Sequence, residues 1–553
     1  MVLRAINKSI IYLLLVTGAV VFSFPFLWMA ATSVKVDREV KAKELELFPM
    51  TPRPRQVSPY VDDRYFAELE GPFQDTLLPR IARIVHDSGF RLPPDINREV
   101  AETQIARGLY SKLRRRLSDE VWKEETQVAD AAAREITAGM AEEVFRDIHR
   151  RLCVGSVRIR DYNRTECELG KGDANGIPAG KRLGNQTPQV ATLVDQTDRE
   201  KSFASVNYDF GAGQKVVLSR TFDVPGDFDL GRLHKIQLDL RPDDTWHELW
   251  LTVEKLAVRY EADRAVPLAN FNWMMVTWQE PGPDDDSTKL KTWVRLNEVS
   301  RGAGVLNEPG RIKLTFEFRR SGQAGAWMNK IKLNYNRVLD QMPFWRYVSV
   351  SLFLVIVNVV LAVLVSSLVA YAFARLNWPG REFCFILMLA TMMIPGQVTM
   401  IPHFLIWKTL GAYNTLTPLW LGSAFGSAFF IFLLRQFLRG VPRDLEDAAR
   451  IDGCGFLRIY WHIMLPLVKP SLAAIAIFTF MGTWNDFMGP LLYIADQRLY
   501  PLSFGLYAFS VQVANDPALT MAASLLMTVP VILIFFFAQK YFIQGVTLTG
   551  MKG

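Results

Sequence analysis

Residues 446–470 hold a dense set of charges between two long apolar stretches. The order is Glu446-Asp447-Ala448-Ala449-Arg450-Ile451-Asp452-Gly453, then a mixed run, Leu465-Pro466 and Pro470. Asp444, Glu446 and Asp447 follow Val441-Pro442-Arg443, so they sit where a helix dipole is positive. Proline at the first helical position loses no hydrogen bond. Gly453 can end the helix in a left-handed conformation. The spacing predicts a capped helix of about ten residues, roughly 15 Å long. Leu445, Ala448 and Ala449 give it a small apolar face suited to close approach by another protein. Such a unit suits a mechanical link to a partner, although the charge pattern alone reads as an ordinary capped surface helix. The next apolar stretch begins near Leu465-Pro466, so a push here reaches it without a flexible linker.

Other chemistry is missing from the sequence. There is no Gly-x-x-x-x-Gly-Lys-Ser/Thr phosphate loop. The six His show no metal-ligand spacing, and no Gly-x-Ser-x-Gly elbow occurs. The chain is therefore expected not to be an enzyme. Trp484-Asn485-Asp486 places an ionisable group in an apolar stretch. Counted from Leu467, Asp486 falls about 28 Å along a helix, near the end of the hydrocarbon. It reads either as part of a pathway or external gate, or as an interfacial anchor.

The elements that must carry these residues are apolar. Six stretches, near 10–31, 348–374, 383–407, 416–438, 467–493 and 521–542, approach or exceed the roughly 20 residues a membrane-crossing helix needs. The first is too long for a cleaved signal and lacks a small-residue cleavage site. Residues 1–36 and 341–553 carry 16 Lys/Arg against 8 Asp/Glu, whereas residues 37–340 carry 47 against 48. A balanced middle argues against nucleic acid. With the N-terminus inside, the short flanks place 12 Lys/Arg on the cytoplasmic side and four opposite. That orientation makes both termini cytoplasmic and residues 37–340 external. Cys153 and Cys167 then share an oxidising compartment and form a candidate disulfide. A closed loop of about 15 residues stabilises by roughly 3 kcal/mol.

Residues 60–150 read as helical. Ile105, Leu109, Leu113, Leu117 and Val121 recur every four residues, and Pro93-Pro94 separates them from earlier helical material. From about 155 the period becomes two. Val216-Leu218, Ile236-Leu238-Leu240, Leu251-Val253, Ile312-Leu314-Phe316-Phe318 and Ile331-Leu333-Tyr335 alternate with polar residues. Short strands between breakers predict an antiparallel β-sandwich. Trp246, Trp250, Trp273, Trp278, Trp293 and Trp327 offer faces for sugars or, more simply, core.

The charged loop resembles the Glu-Ala-Ala coupling motif of ABC importer permeases. Asp447-Ala448-Ala449, Gly453 and Ile463-Met464-Leu465-Pro466 fall in that family's register. Asp447 stands where the family carries Glu, one methylene longer. Phe24-Pro25-Phe26-Leu27-Trp28, Phe344-Trp345-Arg346-Tyr347, Trp484-Asn485-Asp486-Phe487 and the Gly545–Gly553 end resemble the carbohydrate branch, in particular the smaller, maltose-type permease subunit. The likeness covers about 1–57 and 341–553.

It implies a membrane all-α fold: six transmembrane helices of the type I importer permease, with a large external insertion between spans 1 and 2. The expected domains are 1–36, the first span; 37–154, external and helical; 155–340, the β-sandwich; and 341–553, a five-span core with its coupling loop at 441–466. It also implies ATPase-coupling roles for Glu446, Asp447, Ala448, Ala449, Asp452, Gly453, Leu465 and Pro466. The implied partners are a second homologous permease, a dimer of ATP-binding subunits, an external solute-binding protein and the lipid bilayer. ATP and Mg would be used by the ATPase, with no cofactor on this chain. The external loop 494–518 would probe the docked binding protein. Two rivals stand beside this: a membrane-anchored carbohydrate-binding or sensory protein, and a glycan enzyme with paired carboxylates in the insert.

Overall fold

The computed structural model describes residues 2–40, 47–62, 69, 71–90, 92, 96–170, 191–198, 201–211, 213–282, 292–302 and 304–547. Pro93-Pro94 and the terminal Gly550–Gly553 lie outside them. The chain divides into two units: residues 1–33 with 334–553, and residues 34–285 with 291–333.

The first unit is helical. Long apolar runs satisfy their backbone groups internally, as a bilayer requires. Among the described residues, Ile11–Ser33, Phe344–Arg375, Thr417–Gly440 and Pro517–Ile534 are long and apolar enough to cross a membrane. Two further pairs pass only if each bent pair is one span. Arg381–Thr391 and Gly396–Thr409 meet at 98°, with Pro395 at the break. Phe456–Leu467 and Lys469–Trp484 meet at 79°, with Val468 at the break and Pro470 just beyond. The residue before a proline is driven out of the helical region, which places the first break. The expected stretch 383–407 is therefore not one straight helix, and 467–493 holds the helix Lys469–Trp484 and a separate short helix, Met488–Tyr493. The 494–518 segment is not simply an exposed loop either. It contains the helix Leu502–Gln512, whose Leu502 and Phe509 share a core with Tyr347, Phe480 and Trp484.

The second unit opens with helices Gln74–Asp87, Arg98–Arg116, Glu125–Glu135 and Ala138–Ile148. Asn97 and Thr137 cap two of them through their side chains. Leu77, Ile81, Ile105, Leu109, Leu113, Val144 and Ile148 form their core. The four-residue stripe seen in sequence is this core, broken into short helices rather than one long one.

Strands follow. One antiparallel group runs 191–198, 201–208, 152–161, 233–241, 274–279; the other runs 294–301, 258–262, 248–255, 311–319, 215–223. Trp278↔Val294 and Gln279↔Arg295 pair in parallel and join the two groups. Leu238, Leu240 and Trp278 from one and Leu251, Leu314 and Phe316 from the other enter a single core, as in a sandwich. Trp246 and Trp278 are buried; Trp250, Trp273, Trp293 and Trp327 are half-buried. Ile331-Leu333-Tyr335 is not a strand: it lies in the helix Gln323–Gln341. Lys330 in that helix is buried, forms an ion pair with Glu39 and donates to the Met50 carbonyl at 2.6 Å.

The expected disulfide is absent. Cys153 and Cys167 are both free. Cys153 faces Ser205 and Arg241 in the sheet, whereas Cys167 faces Ile159. Six positions along the strand separate Cys153 from Ile159, about 20 Å at strand rise and beyond disulfide reach.

Candidate functional site

The charged loop folds as the helix Asp444–Ile451, eight residues long. Arg443 is its N-cap, so Pro442 precedes the cap, and Asp444 takes the first helical position that the sequence suggests for the proline. Asp444, Glu446 and Asp447 fill the first turn and Arg450 the last, matching the helix dipole at both ends. Gly453 has φ of 79°. Its N–H donates to the Arg450 carbonyl at 3.0 Å, and the Cys454 N–H reaches Ala449 at 2.9 Å. This pair of bonds is a Schellman stop, which needs the left-handed residue that Gly supplies.

Helical phase divides the side chains. Glu446 and Ala449 turn inward and are buried. Asp447, Ala448, Arg450, Asp452 and Gly453 are exposed. Ile451 is 88% exposed, and Leu445, Phe456, Leu457 and Trp461 are also open. Ala449 therefore does not join the exposed apolar surface; Ile451, Phe456, Leu457 and Trp461 do. Sequence reasoning missed these four, although large apolar residues amid a charged segment were the available signal. Asp447 lies 3.8 Å from Arg450 and otherwise faces outward.

Glu446 meets Arg375, which sequence reasoning also missed. Arg375 Nε stands 3.0 Å from the carboxylate, a charge contact rather than an in-line hydrogen bond. Both side chains are at most 5% exposed. Buried charges are tolerated only when paired, and this pair meets that condition. Arg375 Nη2 also donates to the Leu438 and Val441 carbonyls. Leu438 lies in the last turn of the helix Ala428–Gly440, where its carbonyl also accepts from the Val441 N–H at 3.3 Å, and Val441 is that helix's C-cap.

Beyond Gly453 the chain runs Phe456–Ile459, a π-helical turn at Tyr460–Met464, and Leu465–Leu467. Leu465 is half-buried and Pro466 exposed. Tyr460 and Ser367 share a hydroxyl hydrogen bond of 2.7 Å, and the Tyr371 hydroxyl donates to the Phe456 carbonyl at 3.2 Å. Ile459, Tyr460 and Met464 pack with Tyr371, Leu434, Leu438 and Ala449. The direct line from loop to following span, expected from sequence, is interrupted by the 79° bend.

Trp484 lies at the end of the helix Lys469–Trp484, with Asn485 and Asp486 just after it. Trp484 is buried and stacks on Phe480 at 5.6 Å. It ends the helix Lys469–Trp484, and Asn485 is the C-cap, its Nδ2 donating to Met481 at 2.9 Å. Asp486 lies past the helix, not within it. Its Oδ1 accepts from the Gly489 N–H at 3.1 Å, at the start of Met488–Tyr493.

The second unit has a cleft of about 520 Å³ bordered by Lys215, Glu248, Glu317 and Arg319. Its two carboxylates are engaged. Glu317 holds Arg319 at 2.6 Å and Lys215 at 3.5 Å. Glu248 accepts from Trp250 Nε1 at 3.1 Å and Asn329 at 3.2 Å. Among the described residues no group of three His, Cys, Asp or Glu could hold a metal ion.

Residues 362–548 match the family described as binding-protein-dependent transport system inner membrane component. The arabinooligosaccharides transport system permease protein AraQ of Halalkalibacterium halodurans is 40% identical over 210 residues, 38% of this chain and 75% of the relative. AraQ of Bacillus subtilis is 36% identical over 203 residues, 37% of this chain and 72% of the relative. A solved bacterial ABC transporter involved in import of the acidic polysaccharide alginate is 27% identical, with a TM-score of 0.35, over 38% of this chain and 79% of that one. The helix Asp444–Ile451 and its surroundings lie inside the matched region. The chain belongs to the family of binding-protein-dependent transport system inner membrane components.

Proposed function

We propose that this chain is a transmembrane permease subunit of an ATP-driven ABC importer for a sugar or oligosaccharide. An external binding protein delivers the solute, and a separate pair of ATPase subunits uses ATP and Mg. ATP-driven closure of the motor moves the helix Asp444–Ile451. The spans then switch between inward- and outward-facing states by differential stabilisation. A second, homologous permease completes the pathway. Counting each bent helix pair as one span makes six crossings, in the bacterial inner membrane, with both termini cytoplasmic and residues 37–340 external.

One observation carries this reading: a short helix, capped at both ends, anchored inward by Glu446 and presenting Asp447, Ala448 and Ile451 outward. The names of the sugar-transport relatives support the solute class. Trp484, Asn485 and Asp486 are read as part of the pathway or external gate; their placement where two helices meet supports a movable joint.

Affinity purification from the native membrane tests the proposal. An ATPase is expected to come with the wild-type chain, and binding-protein-dependent uptake to follow reconstitution. Gly453→Asp should abolish uptake while the protein still inserts. The left-handed backbone at Gly453 disfavours a side chain, by less for Asp than the about 1–2 kcal/mol of most residues, and the added carboxylate meets the docked motor. Normal uptake by that variant refutes the coupling role. A wild-type chain purifying with no ATPase would favour the anchored carbohydrate receptor instead.

A further inference from the structure

Ser367, Tyr371 and Arg375 are spaced four residues apart on the helix Phe344–Arg375, so they line one face of it. Each grips a different part of the loop segment. Ser367 holds the Tyr460 hydroxyl at 2.7 Å. Tyr371 holds the Phe456 carbonyl at 3.2 Å. Arg375 holds Glu446 at 3.0 Å and, with its other arm, the Leu438 and Val441 carbonyls. One guanidinium thus fastens three helix ends: the last residue of 344–375, the last turn of 428–440 and the first turn of 444–451. Along the chain, by contrast, the route from the loop into Lys469–Trp484 bends by 79° at Val468. A bend at a single residue is a poor strut, whereas a row of buried polar contacts resists both sliding and separation.

We infer that Arg375, with Tyr371 and Ser367, is the joint through which the 444–451 helix moves the 344–375 helix. Motor displacement leaves the loop sideways, into a span earlier in sequence, rather than forward into the span that follows it. Arg375 is a positioning residue: it touches neither nucleotide nor solute. The inference rests on the permease reading above and names the element that this loop drives.

The test uses the complete complex in liposomes, with solute moved per ATP hydrolysed as the readout. Arg375→Met alone would leave a buried, unpaired carboxylate and damage folding. The double variant Arg375→Met/Glu446→Leu removes both buried charges together. The pair Tyr371→Phe/Ser367→Ala deletes only hydroxyls and keeps the fold if the double variant does not. Both should retain the bound ATPase, because Asp447, Ala448 and Ile451 are untouched.

Solute moved per ATP should fall about tenfold in the double variant, an ordinary coupling loss between linked sites. The hydroxyl pair should lose about fivefold, at the low end of the same range. A wild-type ratio in the hydroxyl pair and in any folded double variant overturns the joint. So does a loss explained wholly by departure of the ATPase. Failure of the wild-type complex to couple ATP to uptake refutes the permease reading instead, so the two failures are separable.

Discussion

Glu446 and Asp447 are adjacent carboxylates with opposite surroundings. A helix turns about 100° per residue, so one enters the protein beside Ala449 and the other faces out. The inward acid is anchored by Arg375 and the outward one is available to a partner. The cysteines make the same point about environment. Burial pushes the Cys167 thiol up to about 11, with Asp227 and Asp161 adding to the effect. Burial also raises Cys153, although Arg241 opposes it. A raised thiol pKa withholds the reactive thiolate until alkaline pH; at pH 8 about one Cys167 in a thousand is ionised. Native alkylation of Cys167 should therefore accelerate about tenfold per pH unit between pH 7 and 10. Cys153 should label only after denaturation. Mass spectrometry of tryptic peptides checks both, and a Cys153–Cys167 crosslinked peptide would contradict the separation described above.

Elements differ in how much strain they carry. The hairpin between strands 248–255 and 258–262 closes through two residues, because Val258 pairs with Lys255. Leu256 and Ala257 hold φ of 47° and 60°, where Asn and Gly are preferred. Each ordinary residue there costs about 1–2 kcal/mol. The turn is held by backbone bonds, Ala257 N–H to Leu306 at 2.8 Å and Gly302 N–H to Ala257 at 2.9 Å. Side-chain replacement leaves these intact. Leu256→Asn/Ala257→Gly should stabilise the fold by about 1–2 kcal/mol, less what glycine loses in the unfolded chain. A higher urea midpoint of tryptophan fluorescence in detergent is the expected result; a lower midpoint would show that the Leu256 side chain packs more than it strains.

At the scale of the molecule, residues 34–333 have their own cores and leave the membrane unit's ends adjoining. The Ser33 carbonyl accepts from Asn334 Nδ2 at 2.9 Å, and the Ser33 and Tyr335 hydroxyls lie 2.9 Å apart. Insertions are tolerated where the flanking backbone closes without them. Replacing 34–333 by a short Gly/Ser linker should give a chain that still inserts and still co-purifies with the ATPase. Loss of uptake alone would place reception of the binding protein on the insert. Loss of ATPase binding would show that the insert is needed to fold the spans.

Local pattern determined much of this protein. Runs of apolar residues dictated membrane helices because no water is available to their backbones. The period-four stripe at 105–121 and the alternation at 312–318 dictated a helical region and strands through the side chains each must bury. The helix Asp444–Ile451 and its glycine stop were legible because its acids and Gly453 act within one or two turns. Local pattern failed where distant residues compete. Ile331-Leu333-Tyr335 alternates like a strand yet lies in a helix, as Lys330 and Asn334 on the same helix anchor to Glu39 and Ser33. The helix break at Val468, the separation of Cys153 from Cys167, and the pairing of Glu446 with Arg375, 71 positions away, came only from the tertiary structure. Spacing along a chain specifies which groups share a helix turn or strand face, but contacts across many residues depend on how those faces pack.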